Sequence, residues 1–105
     1  MNNEKLLSLL KEAYVKIDTN SQKNFVRQEV LREIHQTYHY LSKKERGSTA
    51  IRGSISQMLS TVNGLQALHK EKLSLEELEL LQSLARMIRE DASDIGNTFM
   101  ALWGM

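Results

Sequence analysis

The sequence predicts an all-α fold, an antiparallel four-helix bundle with an apolar C-terminal tail, and three observations carry that prediction. The 105 residues contain no proline, and Leu, Glu, Lys, Gln and Ser outweigh the β-branched types, a composition that favours helix nearly throughout. Apolar residues recur at steps of three and four, the spacing of one buried helix face. Short polar segments separate four such runs, and short connections make sequential helices antiparallel neighbours around one core. With 41% hydrophobic and 26% charged residues, the chain reads as globular rather than disordered, and its length suits one domain, 1–105.

The first helix is expected from about Asn3 to Ile17. Leu6, Leu9, Leu10, Ala13, Tyr14 and Ile17 trace its face, Leu7 and Val15 widen it, and Asn2 or Asn3 caps the start. Asp18-Thr19-Asn20-Ser21 then supplies turn and capping chemistry together. The second helix is expected from about Gln22 to Ser42, with Phe25, Val26, Val30, Leu31, Ile34, Tyr38 and Leu41 on its apolar face. Arg27, Glu29, Arg32, Glu33 and Gln36 are placed on the other side. His35 and His39 have the i, i+4 spacing of a shared metal site. Gln36 stands where a zinc hydrolase helix carries its Glu, and no third ligand is obvious, so hydrogen bonding is the better reading.

The connector Ser42-Lys43-Lys44-Glu45-Arg46-Gly47-Ser48-Thr49 is basic. Gly47 suits a left-handed cap, and Ser48 or Thr49 suits the next N-cap. A solvated loop is the plain reading, and a surface for acidic headgroups or an acidic partner is the functional one. The third helix is expected over about 50–68, with Ile51, Ile55, Met58, Leu59, Val62 and Leu65 on its face and Leu68 as a candidate further member. Gly53 and Gly64 each disfavour it by roughly 1 kcal/mol against alanine, and small residues there could admit a close neighbouring helix.

The fourth helix, over about 75–95, opens on the clearest local signal. In Leu73-Ser74-Leu75-Glu76-Glu77-Leu78, Ser74 can accept from the Glu77 N–H while the Glu77 carboxylate reaches back to the Ser74 N–H. The acidic pair also suits the positive end of the helix dipole. Leu78, Leu81, Leu84, Ala85, Ile88, Ala92, Ile95, Phe99 and Leu102 keep one face, with Arg86, Arg89, Glu90 and Asp94 outward. Gly96-Asn97 favours a helix end there, leaving 96–105 as a tail. Continuation is the alternative. Burial of Phe99, Leu102 and Trp103 on the bundle competes with an exposed anchor for a partner or membrane interface.

Functional motifs are mostly excluded. Without cysteine there is no thiolate or disulfide chemistry, and the absence fits a reducing compartment. A net charge of +1 gives no overall attraction to nucleic acid. No apolar run approaches the roughly 20 residues of a membrane span, and no secretory leader is recognisable. Phosphate loops, nucleophile elbows and zinc spacings do not occur. The carboxylate pairs Glu76/Glu77 and Glu90/Asp91 are explained by solvation, and Arg27, Arg32, Arg52, Arg86 and Arg89 fall mostly outward. The expectation is a non-enzyme without cofactor or metal.

In length, helix count and most specifically in the segment Leu73-Ser74-Leu75-Glu76-Glu77-Leu78-Glu79-Leu80-Leu81-Gln82-Ser83-Leu84, the chain resembles the pediocin-like (class IIa) bacteriocin immunity proteins of Gram-positive bacteria. The detailed likeness covers the second half; the first matches only as two amphipathic helices. The resemblance implies a monomeric bundle acting by binding, in the cytoplasm or in part at the inner face of the cell membrane. Its implied partner is the mannose-type phosphotransferase permease once a bacteriocin has docked on it. By region, the implied partner-binding residues are Arg86, Arg89, Asp94, Asn97, Phe99, Met100, Leu102 and Trp103. The tail is shorter and more apolar than those of many family members. A helical adaptor or regulatory subunit, dimerising through the third helix or the tail, is the reading from a different class. Nucleic-acid binding through Lys43, Lys44, Arg46 and Arg52 comes third.

Overall fold

A computed structural model describes residues 3–102 of the chain, with side chains placed over 3–90. Four helices follow one another: α1 (Asn3–Asp18), α2 (Phe25–Lys43), α3 (Ser48–His69) and α4 (Leu75–Leu102). No strand occurs among the described residues. Each helix packs on its neighbours in sequence, and α4 closes the ring on α1; the diagonal pairs α1–α3 and α2–α4 do not approach by backbone. The result is the antiparallel four-helix bundle that the periodicity predicts.

The core is built from the expected faces. Leu6, Leu10, Ala13 and Ile17 of α1 meet Val26, Val30, Ile34 and Leu41 of α2, Ile51, Ile55, Met58 and Val62 of α3, and Leu73, Leu81 and Leu84 at the start of the fourth run. Burying each of the larger side chains stabilises the fold by roughly 1.5–3 kcal/mol, and this shared core, more than local propensity, keeps the glycine-containing α3 helical.

The connectors depart from expectation in instructive ways. Asp18 ends α1, and the Thr19 and Asn20 N–H groups donate back to the carbonyls of Val15 and Ile17 at 2.9 and 3.2 Å. Asn20 Oδ1 accepts from the Gln22 N–H at 2.9 Å, which makes an Asx turn instead of a helix start. Helix α2 therefore begins at Phe25 rather than Gln22, capped by Asn24, whose Oδ1 accepts from the Arg27 N–H at 2.9 Å. Gly47 is not left-handed: it is the extended N-cap of α3 (φ −73°, ψ 162°), which starts at Ser48 rather than Ala50. The left-handed residue is Lys70, the C-cap of α3, at φ 54° and ψ 28°. Side chains that the periodicity puts on apolar faces also stray, with Val15 and Phe25 each half exposed and Leu68 largely so.

The larger correction concerns α4. It runs unbroken through Gly96-Asn97 to Leu102, so 96–102 is helix and not a separate tail. Twenty-eight residues make about 42 Å of helix at 1.5 Å per residue, against about 24 Å for the 16 residues of α1. Counted residue for residue from the contact between Lys16 and Glu76, the start of α1 at Asn3 is level with about Arg89. Counted likewise from the facing ends His69 and Leu75, the start of α3 at Ser48 is level with about Gly96. The last turns of α4 thus outrun both of its neighbours, and the molecule is elongated, 51 × 29 × 19 Å.

Candidate protein-binding surface

How α4 is held comes first, because it positions everything that α4 presents. The Ser74 box forms as its spacing requires: the Ser74 N–H donates to Glu77 Oε1 at 2.7 Å and the Glu77 N–H donates to Ser74 Oγ at 3.2 Å. The same carboxylate takes a second partner, one expected on the outward side of α2. Arg27 does not face outward; it is buried, and its Nε and Nη2 donate to Glu77 Oε2 and Oε1 at 3.1 and 2.7 Å. Glu77 is likewise buried, so solvation does not explain it. The pair joins α2 to α4, two helices whose backbones do not approach among the described residues, and so spans a diagonal of the ring.

Burial by itself pushes the Glu77 carboxyl up. The Arg27 guanidinium and the Ser74 hydrogen bonds outweigh that and hold it below the usual carboxylate range. Hydrogen bonding to Glu77 raises the Arg27 guanidinium despite its desolvation. Around this pin, Val26 N–H donates to Glu71 Oε2 at 3.4 Å and Leu73 N–H to Gln66 Oε1 at 3.0 Å, which fixes the α3–α4 connector. Lys16 Nζ meets Glu76 Oε2 at 2.6 Å on the exposed rim.

No family model, curated protein or solved structure matches this chain.

Of the expected partner-binding residues, Arg86 and Arg89 are exposed on α4, and Arg86 Nη2 donates to Ser83 Oγ at 3.1 Å. Asp94, Asn97, Phe99, Met100 and Leu102 lie on its last turns, where the described structure is backbone. Trp103 lies outside the described residues. Continuation of the helix sorts this set by register. Arg86, Arg89, Asp94, Asn97 and Met100 share one stripe, whereas Phe99 and Leu102 continue the register of Leu81, Leu84 and Ile88. The stripe that packs against the bundle therefore carries apolar residues past the point where α1 and α3 begin.

Elsewhere the surface is shallow. A polar groove of about 420 Å³ between α2 and α3 is lined by Glu33, Thr37, Tyr40, Gly53, Ser54 and Gln57. A smaller, apolar recess of about 260 Å³ between α1 and α2 holds Tyr14, His35 and Tyr38. His35 and His39 are both exposed, and no group of three metal-ligating side chains gathers among the described residues. The small residues of α3 do not seat a neighbouring helix, since a Cβ at Gly53 or Gly64 would meet nothing within 4 Å. No helix among the described residues is long and apolar enough to cross a membrane.

Proposed function

We propose that this protein is a bacteriocin immunity protein. It acts from the cytoplasm by binding the mannose-type phosphotransferase permease on which a pediocin-like bacteriocin has docked. The observation that carries the reading is α4: its first turn is pinned by a buried ion pair and a capping box, while its last turns outrun α1 and α3. A helix held firmly at one end and unaccompanied at the other is suited to reach into a partner.

Protection requires that the protein bind the closed permease–bacteriocin complex more tightly than the leaking one, since only differential affinity shifts that equilibrium. Binding should then depend on the presence of bacteriocin. The test is survival of a sensitive Gram-positive host that expresses the chain and is challenged with a panel of pediocin-like peptides and an unrelated pore former. Resistance to one or a few panel members, lost on deletion of Phe99–Met105 although the protein stays folded, is the expected result. Uniform sensitivity with folded protein present overturns the reading.

A second reading, a helical adaptor, draws support from Leu68 and Leu75, which are 76% and 80% exposed near the opposite end of the bundle. Sedimentation separates the two: a tight dimer favours the adaptor, a monomer the immunity protein.

A further inference from the structure

We propose that the recess between α1 and α2 binds a small planar aromatic carboxylate. Its wall is one short pattern written twice. Leu10, Lys11 and Tyr14 on α1 and Ile34, His35 and Tyr38 on α2 each follow the order aliphatic, basic, two others, tyrosine, and the antiparallel helices bring both copies to one recess. Positions i, i+1 and i+4 share one side of a helix, so each turn offers a ring and a basic nitrogen beside an apolar side chain. Leu10 and Ile34 are buried, Tyr14 and Tyr38 half-buried, and Lys11 and His35 exposed.

Rings set the body of the ligand. Tyr14 and His35 lie with ring centroids 6.4 Å apart at 53°, within the range of tilted aromatic pairing, and Tyr38 completes an aromatic wall beside the buried aliphatic pair. The recess is about 260 Å³. A cavity of about 150 Å³ holds benzene, so one or two fused rings fit, and a drug-sized molecule does not.

The charge follows from what the wall lacks. Glu33 stands in the α2–α3 groove, Glu12 in the α1–α4 recess beside Leu80, and Glu76 with Glu77 in the recess beside Ser74. No carboxylate lines the α1–α2 recess. A turn beyond Tyr14, Asp18 is met by Lys23, and Glu29 on α2 is met by Arg32. Lys11 also borders the recess beside Leu80 but forms no ion pair with Glu12. The Lys11 ammonium and the Tyr38 hydroxyl make no hydrogen bond or ion pair among the described residues, and an aryl carboxylate supplies an acceptor to both. Such binding requires neither permease nor bacteriocin, so it is independent of the immunity role.

The experiment is NMR titration of the full chain with naphthoate, with its neutral amide and with the aliphatic acid hexanoate. The expected result is saturable shifts of the Tyr14, His35 and Tyr38 ring signals with naphthoate, at a Kd of about 1 mM or tighter. The amide should bind about fivefold more weakly, and Lys11→Gln should bring naphthoate down to the amide's affinity, the worth of one exposed charge contact. Tyr38→Ala should weaken both aromatic probes. No saturation by about 10 mM, equal affinity for the amide, hexanoate binding as tight as naphthoate, or an unaffected variant overturns the proposal. Shifts centred on Val15 and Leu80 overturn it in favour of the α1–α4 recess. Should Tyr38→Ala lose its helical circular dichroism, Lys11→Gln, at an exposed position, and the ring signals of the natural chain decide the question.

Discussion

The Glu77 carboxylate caps a helix and neutralises a buried cation with the same two oxygens, accepting from Ser74 N–H and from Arg27 Nε and Nη2. Because its folded-state pKa is depressed, its contribution is fully present above the usual carboxylate range and is lost as pH falls through the lowered value. Glu77→Gln leaves the guanidinium buried without its counter-charge. It should destabilise the bundle by roughly 3–5 kcal/mol and flatten the acid limb of the stability curve, as urea titrations across acidic pH will show. Conservation of the limb in the variant would assign it to other carboxylates. The capping half of this arrangement was legible from Ser74 and Glu77 three residues apart. The Arg27 half was legible only in part. Arg27 stands three, four and seven residues before Val30, Leu31 and Ile34, on the apolar face by spacing, but charge alone led to an outward placement.

At the level of the helices, hydrophobic period proved a better guide than local breakers. Gly96-Asn97 permits a helix end, yet the steps from Ile95 to Phe99 and Leu102 continue and the helix continues with them. Conversely, Asp18-Thr19-Asn20-Ser21 reads as turn and cap together, but Asn20 closes an Asx turn onto Gln22 and Asn24 caps the helix. Phe25 illustrates the limit of apolar counting: it lies off the stripe of Val26, Val30 and Ile34, and its ring rests 4.8 Å from that of His69. In α3 the glycines are solvent-facing and have room for a side chain. Gly53→Ala and Gly64→Ala should each stabilise by up to about 1 kcal/mol, raising Tm by about 4–8 °C in thermal melts. A loss of stability in either would reveal a close contact that the helix packing does not show.

For the molecule as a whole, the overhang of α4 past the levels of Asn3 and Ser48 sets its last turns apart from the part held in the ring. Among the described side chains, Leu73, Leu81 and Leu84 are core residues of the fourth run, with Leu78, Leu80, Met87 and Ile88 packed against them, and Phe99 follows beyond the levels of Asn3 and Ser48. Deletion of Phe99–Met105 should therefore leave a cooperative thermal transition, within about 1 kcal/mol of the full chain, while removing protection in the host assay. A collapsed transition would mean that those residues belong to the core. The fold class and the four helices were readable because an even periodicity needs only sequence. The overhang depends on the length of α4, which rested on the ambiguous pair Gly96-Asn97.

The diagonal pin also imposes an order in time. Arg27 and Glu77 are fifty residues apart, so a chain emerging from its N-terminus presents the guanidinium long before its counter-ion exists. Until the segment bearing Glu77 arrives, the guanidinium has no carboxylate to meet and keeps its water, so a fragment ending at Lys72 should lack the cooperative thermal transition of the full chain.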